Sequence, residues 1–309
     1  MRSPKIAVIG SLNMDSVFQC NQLPLPGQTI LSTGTAHIPG GKGANQAVAA
    51  AKAGGDVFMI GRVGDDAFAN QLTVNLDAHN VNTSNVFRTA GCDSGFAAVM
   101  VDQRGQNSIV VSAGANAYLS PNDLDTTQVV IQDCDIVLLQ LEIPIATVER
   151  AIKIAKQSNV PILLDPAPVT IDAIQHDIFD VDFICPNETE AEILTDLPVK
   201  NIQDAEKAAV KLLKLGPKTV IITMSDKGTL VHDGQRSHFI PPNQVKAIDS
   251  TAAGDAFAGA FAVKFSNTKC VYRSARYASI AGSLSATRNG AQTSMPTNEE
   301  ILSFYGHQK

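Results

Sequence analysis

Apolar residues fall into two alternating patterns along this chain. Short unbroken runs rich in β-branched residues occupy positions 6–9, 57–60, 136–141, 162–164, 183–185 and 220–223. Runs without a polar face fit strands buried on both sides. Between them lie helix-length stretches at 44–53, 67–80, 145–158, 189–195 and 205–215. This alternation predicts an α/β fold, with a mostly parallel central sheet covered by helices on both faces. Two regions break the rhythm. Residues 19–39 are rich in Pro, Gly and Thr and lack a helical period, and segments 95–101 and 108–112 flank a turn signal, Asp102-Gln-Arg-Gly-Gln106. They predict a small β-element, drawn from about 13–40 and 95–112, that projects from the main body as a lid or a dimer surface. A pair of ordinary surface hairpins would give the same pattern.

Composition narrows the class. With 309 residues the chain can bury a large core and sits near the limit for one domain, so a single body spanning 1–309 with an appendage is expected. No apolar run reaches membrane-spanning length, and the N-terminal apolar run is too short for a secretory signal and reads as a first strand. The net charge is −6 with basic residues scattered, which argues against a nucleic-acid partner. A phosphorylated ligand would then need local devices: helix N-termini, a metal ion, one or two cations. The five cysteines are widely spaced, without a Cys-x-x-Cys pair, which fits neither a zinc knuckle nor a disulfide framework and points to a reducing, cytoplasmic setting.

The most informative stretch is Asp249-Ser-Thr-Ala-Ala-Gly-Asp255, running into Ala-Phe-Ala-Gly259. Small residues entering a helix aim free N–H groups and the positive end of the helix dipole at one spot, where an anion can sit. Asp255 is an awkward neighbour for an anion unless it accepts a proton from a hydroxyl that attacks a phosphoryl group. The bland alternative is an acid capping a helix.

Other candidates follow strand ends, where ligands bind in open α/β sheets. In Gly10-Ser-Leu-Asn-Met-Asp15, Asn13 and Asp15 alternate with apolar neighbours and can point the same way. A carboxylate beside an amide that both donates and accepts suits a vicinal diol. Pro39-Gly-Gly-Lys-Gly-Ala-Asn45 is not a P-loop, because Gly43 follows Lys42 where Ser or Thr is needed. It reads as a glycine-rich turn opening a helix, with Gly41, Lys42, Gly43 and Asn45 near sugar hydroxyls and Lys42 within reach of a phosphate. Glu142 closes an apolar run, either as a site residue or as an acid before Pro144. Asn187 and Glu190 have capping-box spacing, with a second reading in which Glu190 orients water on magnesium. Thr223 to Gly228 could contact a nucleotide or be a simple turn.

Taken in order, Gly40-Gly-Lys-Gly-Ala-Asn-Gln-Ala47, Pro186-Asn-Glu-Thr-Glu-Ala-Glu192, Ala252-Ala-Gly-Asp-Ala-Phe-Ala-Gly259 and Thr287-Arg-Asn-Gly-Ala-Gln292 resemble the ribokinase-like carbohydrate kinases of the phosphofructokinase-B type. The resemblance runs from Gly10 to Pro296. It implies ATP-dependent phosphorylation of a sugar, with the 5-hydroxyl of D-ribose the expected acceptor, and a β-lid that pairs two subunits into a homodimer. By the same resemblance Asn13, Asp15, Gly41, Lys42, Gly43, Asn45 and Glu142 bind sugar and Asp255 is the base. Ala252, Ala253 and Gly254 form the anion hole, and Asn187 and Glu190 serve phosphate and Mg2+. Thr223, Ser225, Gly228, Gly254 and Ser279 contact the nucleotide. Asp249, Thr251, Ser285, Arg288, Gly290 and Ser294 surround a K+ ion, mostly through backbone carbonyls. Ser225 and Ala252 stand where the family commonly has Gly. Deoxyribose, fructose or a nucleoside as acceptor is the alternative within the class, and a sugar-binding regulator the alternative outside it. A nicotinamide-dependent dehydrogenase is disfavoured, since no Gly-x-Gly-x-x-Gly follows the first strand.

Overall fold

Segments with no polar face must be covered on both sides, and the computed structural model, which describes residues 2–306, puts them in the middle of a large sheet. The strands are β1 (Lys5–Ile9), β2 (Asn13–Gln19), β3 (Gly34–Gly40), β4 (Asp56–Val63), β5 (Val81–Arg88), β6 (Gly95–Val101), β7 (Asn107–Ser112), β8 (Ile136–Leu139), β9 (Ile162–Leu164), β10 (Phe183–Ile184), β11 (Thr219–Thr223), β12 (Thr229–His232) and β13 (Ser237–Ile240). Nine of them form one sheet in the order β13-β12-β11-β10-β9-β8-β1-β4-β5. Every neighbouring pair from β5 across to β11 is parallel. The β12–β13 hairpin adds an antiparallel edge.

Alternation within β1 shows how the core is divided. Ile6 and Val8 pack with Phe257 and Phe261, on the face covered by helices Lys42–Lys52 and Ala253–Thr268. Ala7 and Ile9 point the other way, toward helices Ile145–Gln157 and Ile202–Leu213. Each Ile, Val or Phe among these, fully buried, contributes about 1.5–3 kcal/mol, and Ala7 about half of that or less. The mostly parallel sheet with helices on both faces is therefore the architecture that the alternating pattern predicts. Most strand ends shift by a residue or two from the sequence reading, and β4 runs three residues past the predicted 60, to Val63. In the run at 136–141, β8 stops at Leu139, and Gln140 to Glu142 bend out of the sheet.

The remaining four strands form a separate sheet in the order β3-β2-β6-β7. β2 lies antiparallel to β3 and parallel to β6, and β6 and β7 form the hairpin. β2 begins just after β1 ends, so this small sheet rises from the carboxyl end of the large one. On its outer strand Ile109, Val110 and Val111 are 53%, 66% and 54% exposed, so β7 carries an uncovered apolar run at a sheet edge.

Candidate active site

Two helices meet at the carboxyl ends of the parallel strands. Helix Lys42–Lys52 starts at Gly41, whose φ of +89° and tight quarters favour glycine: a Cβ there would lie 2.7 Å from the backbone N of Asn13. Helix Ala253–Thr268 starts at Ala252, which has φ +58° and makes no side-chain cap bond. The N–H groups of its first turn are thus left without a side-chain partner at the cap. Asp255 sits in that turn and is buried.

Its carboxylate is held from the other helix. Asn45 Nδ2 donates to Asp255 Oδ2 at 3.0 Å, and Gln46 Nε2 donates to Asp255 Oδ1 at 3.1 Å. The acid and the glycine-rich turn are therefore neighbours, although 210 residues separate Asn45 from Asp255 in sequence. Burial pushes the Asp255 carboxyl up to about 7; Lys42 pulls against that and Asp165 adds to it. Asp15 is also raised to about 7, first by burial and then by Glu142 and Asp255. Lys42 is the cation among these acids. Burial alone would lower its ammonium, but Asp165, Asp255, Glu190 and Glu142 together raise it.

Around the glycine-rich turn, Glu142 Oε2 accepts from Ser11 Oγ at 2.5 Å and from the Lys42 N–H at 3.2 Å. Asn13 is buried at the start of β2, and its Oδ1 accepts from Asn116 Nδ2 at 2.8 Å. Asn116 also clamps the Leu12 backbone, accepting from its N–H at 2.9 Å and donating to its carbonyl at 3.1 Å. Asn116 takes one of the two lone pairs on the Asn13 oxygen, so Asn13 keeps its NH2 and the other lone pair for a diol. Asn45 adds to this. Its Oδ1 is buried with no protein partner, and a hydroxyl donor would satisfy it.

A cavity of about 50 Å³, room for a few waters or a hydrated ion, opens between Lys42, Asp165, Asn187, Glu190, Thr223 and Gly254. Asn187 and Glu190 form a full capping box at helix Glu188–Thr195. Asn187 Oδ1 accepts from the Glu190 N–H at 2.9 Å, and Glu190 Oε2 accepts from the Asn187 N–H at 2.8 Å. Glu190 Oε1 accepts from Asn187 Nδ2 at 2.8 Å, so the acid is fixed where it borders the cavity. Burial, then Asp165, raise its pKa. Thr223 bridges to Asn187, joining the end of β11 to this cap. Beyond it, Ser225 has φ +45°, a conformation costly for any residue but Gly. Gly228 has φ +99°, and a Cβ there would lie 2.4 Å from the carbonyl of Ile240. Ser279, on helix Val271–Ser285, accepts from Asn243 Nδ2 at 3.2 Å.

Behind the Ala253 helix start, Asp249 joins two segments. Its Oδ1 accepts from the Thr251 N–H and its Oδ2 from the Gly290 N–H, both at 2.9 Å. The Ser285 and Ser294 hydroxyls meet at 2.7 Å. Arg288 turns its guanidinium away to Glu300, leaving only its backbone toward this cluster. Asp249 is thus tied to Thr251 and Gly290, and Ser285 to Ser294. Among the described residues no cluster of His, Cys, Asp and Glu has a metal-binding arrangement, so a cation here would rely on carbonyls and hydroxyls.

The sequence reading passed over four polar residues. Asp165 lies at the carboxyl end of β9, where the strand-end rule would have found it. Gln46 lies inside the glycine-rich motif. Gln140 and Asn116 carry no local signal, because what marks them is contact with Gln46 and with Asn13.

Comparison with known proteins agrees with this geometry. The model for "pfkB family carbohydrate kinase" matches residues 3–298. A deoxyribokinase of Salmonella typhi is 38% identical over 97% of this chain and 98% of its own length. A ribokinase of Bacillus subtilis is 39% identical over 96% of this chain and 97% of its own. The structure of Arabidopsis thaliana ribokinase complexed with ribose and ATP is 32% identical and superposes with a TM-score of 0.91 over 98% of this chain and 99% of that one. The chain belongs to the pfkB family of carbohydrate kinases.

Proposed function

We propose that this protein transfers the γ-phosphoryl group of ATP to the 5-hydroxyl of D-ribose, giving D-ribose 5-phosphate and ADP. One observation carries the reading: a buried carboxylate, Asp255, held by Asn45 and Gln46, in the first turn of a helix whose cap makes no side-chain hydrogen bond. Asp255 takes the proton of the hydroxyl, and the oxygen attacks the phosphorus in line. The N–H groups at Ala252, Ala253 and Gly254 stabilise charge on the transferring group. Lys42 screens the phosphates. On the sugar side the Asn13 NH2, the Asp15 carboxylate, the Asn45 carbonyl and the Gly41–Gly43 turn bind hydroxyls. Glu142 fixes that turn through the Lys42 N–H.

Thr223, Ser225, Gly228 and Ser279 border the nucleotide. The fixed acid of Glu190, beside Asn187 and the cavity, suits water held on Mg2+ better than direct ligation, because both its oxygens are spent on the cap. Bound Mg2+ would offset phosphate charge. Asp249, Thr251, Ser285, Arg288, Gly290 and Ser294 would hold K+ through oxygen, ordering the anion hole from behind.

Residues 1–309 are read as one kinase domain. The four-stranded sheet is its lid, excluding water from the phosphoryl acceptor site. The exposed apolar run on β7 suits pairing with a second copy, giving a homodimer. The five free cysteines suit a cytoplasmic protein, and no described helix is long and apolar enough to cross a membrane.

Deoxyribose is the second reading, favoured by the deoxyribokinase match. Loss of the 2-hydroxyl should leave a buried polar group unpaired, at about 1–3 kcal/mol. Purified protein should therefore show kcat/KM at least several-fold higher for D-ribose than for 2-deoxyribose in an ADP-release assay. The opposite preference transfers the assignment to deoxyribose, and no turnover with either sugar ends it.

A further inference from the structure

We propose that Gln46 is a positioning residue for the reaction: its single side-chain amide, locked by Gln140, holds the carboxylates of Asp255 and Asp165 apart and in fixed orientation. The inference rests on Asp255 being the proton acceptor.

Gln46 Nε2 donates to Asp255 Oδ1 at 3.1 Å and to Asp165 Oδ2 at 2.9 Å. Its Oε1 accepts from Gln140 Nε2 at 2.7 Å. Gln46 and Gln140 are completely buried, and both acids nearly so. An amide has two N–H donors, and both are used. The orientation of the chain is forced. Turning Gln46 over would aim its carbonyl at two carboxylates, so the NH2 must face them. Its oxygen then faces Gln140, which must present its own NH2. Gly10 makes room for this arrangement, since a Cβ there would lie 1.9 Å from Gln140 Oε1.

Asp165 is a buried acid that the transfer chemistry leaves unused. It sits 3.5 Å from Lys42 Nζ, so it balances the cation while facing Asp255 across the amide. The charged groups around Asp255 are Lys42 from the same helix as Gln46, Asp165 from the end of β9, and Asp15 from β2. Glu142 and Glu190 lie farther out, around Lys42. The Gln46 bond favours the ionised form of Asp255, and the Asp165 charge opposes it. Removing one or the other should therefore move the base in opposite directions, which a purely structural role would not do.

The test is the pH profile of kcat/KM for D-ribose, with KM for ATP as control. Gln46→Leu should lower kcat roughly tenfold, from loss of one hydrogen bond to a charged group. It should move the acidic limb to higher pH and leave KM for ATP within about twofold. Asp165→Asn, which keeps an oxygen for Gln46 but not the charge, should move the limb to lower pH. If Gln46→Leu does not fold, Gln140→Met, which frees the amide without touching either acid, should raise the limb by a smaller amount. Limbs that stay at the wild-type position, or that move the same way in the Gln46 and Asp165 variants, overturn the proposal. Asp255→Asn separates the two levels. Its retaining turnover removes the base reading itself, whereas an inactive Asp255→Asn with unmoved limbs removes only the role of Gln46.

Discussion

Lowering the pH tests the wild-type site most directly. A general base must be ionised before the hydroxyl arrives, so the rate should follow its ionised fraction. Burial lifts Asp255 from the ordinary carboxylate range to about 7, and the Asn45 and Gln46 bonds only partly offset this. If Asp255 alone mattered, kcat/KM for the sugar would be level above pH about 7 and fall tenfold per unit below it, about a hundredfold by pH 5. Asp15 is raised to about 7 as well, partly by the charge on Asp255, so the two carboxyls titrate as a pair with shared macroscopic values. With Asp15 accepting from the sugar as proposed, its protonation should also weaken kcat/KM. The limb should then be steeper than one unit, and Asp15→Asn should restore unit slope while raising KM for the sugar. Stopped assays from pH 5 to 9, with magnesium and ionic strength held fixed, would read this. A rate level from pH 5 to 8 would refute the assignment of a buried, proton-accepting carboxylate.

The same shift has a stability consequence. Asp255 holds its proton to a higher pH folded than unfolded, so its contribution to stability is full below about pH 4 and is lost as pH rises through about 7. Asp255→Asn, which cannot ionise, should lose less stability over that window, on the order of a few kcal/mol, and thermal melts at pH 4 and 8 that change in parallel with wild type would contradict it. Ala252 and Ser225 hold positive φ, so Ala252→Gly and Ser225→Gly should each stabilise by about 0.5–1 kcal/mol, the relieved strain exceeding the glycine entropy; a lower Tm in both variants would argue against strain. K+ should activate relative to Na+, and Asp249→Ala, which frees the Thr251 and Gly290 N–H groups, should lower kcat roughly tenfold and abolish the difference; equal rates of the wild type in the two salts would remove the cation site.

Much of this was legible in the sequence because the pattern that makes a parallel sheet also marks where its strands end. Unbroken apolar runs at 6–9 and 162–164 locate β1 and β9, and the polar residues just beyond them, Asn13 and Asp165, lie at the site. The glycines were legible for a steric reason: Gly41 and Gly228 need positive φ, and no other residue suits those quarters. What sequence cannot carry is pairing between side chains far apart in the chain. Asn116, 103 residues away, is a partner of the Asn13 oxygen, and nothing near Asn13 in sequence announces it. Gln46 drew no separate notice for the same reason: its partners Asp165 and Asp255 lie far along the chain. The capping box at Asn187 and Glu190 shows the reverse limit. Its spacing predicted a local structure that is present, and the neighbouring cavity is what, in the structure, adds to the magnesium reading of the same residues.

The distances at Asp255 are set by how closely two helices approach, and Gly259 sets that approach. It lies one turn beyond Asp255 on the same helix, against helix Lys42–Lys52. A Cβ at this position would lie 2.6 Å from the Ala50 backbone N and 2.7 Å from the Gln46 carbonyl, so neither helix could keep its place around a methyl group. The alanines at 47, 49, 50, 256, 258 and 260, all buried, keep the rest of the seam thin. Only at this separation do the short amide of Asn45 and the longer one of Gln46 reach opposite oxygens of one carboxylate. A shift of about 1 Å at such a centre costs on the order of a hundredfold in rate. The run of small residues from Ala252 to Ala262 therefore serves two purposes. At its start it opens the helix without a side-chain cap, as the proposed anion site requires, and a turn later it brings Asp255 within hydrogen-bond range of the helix that follows the glycine-rich turn.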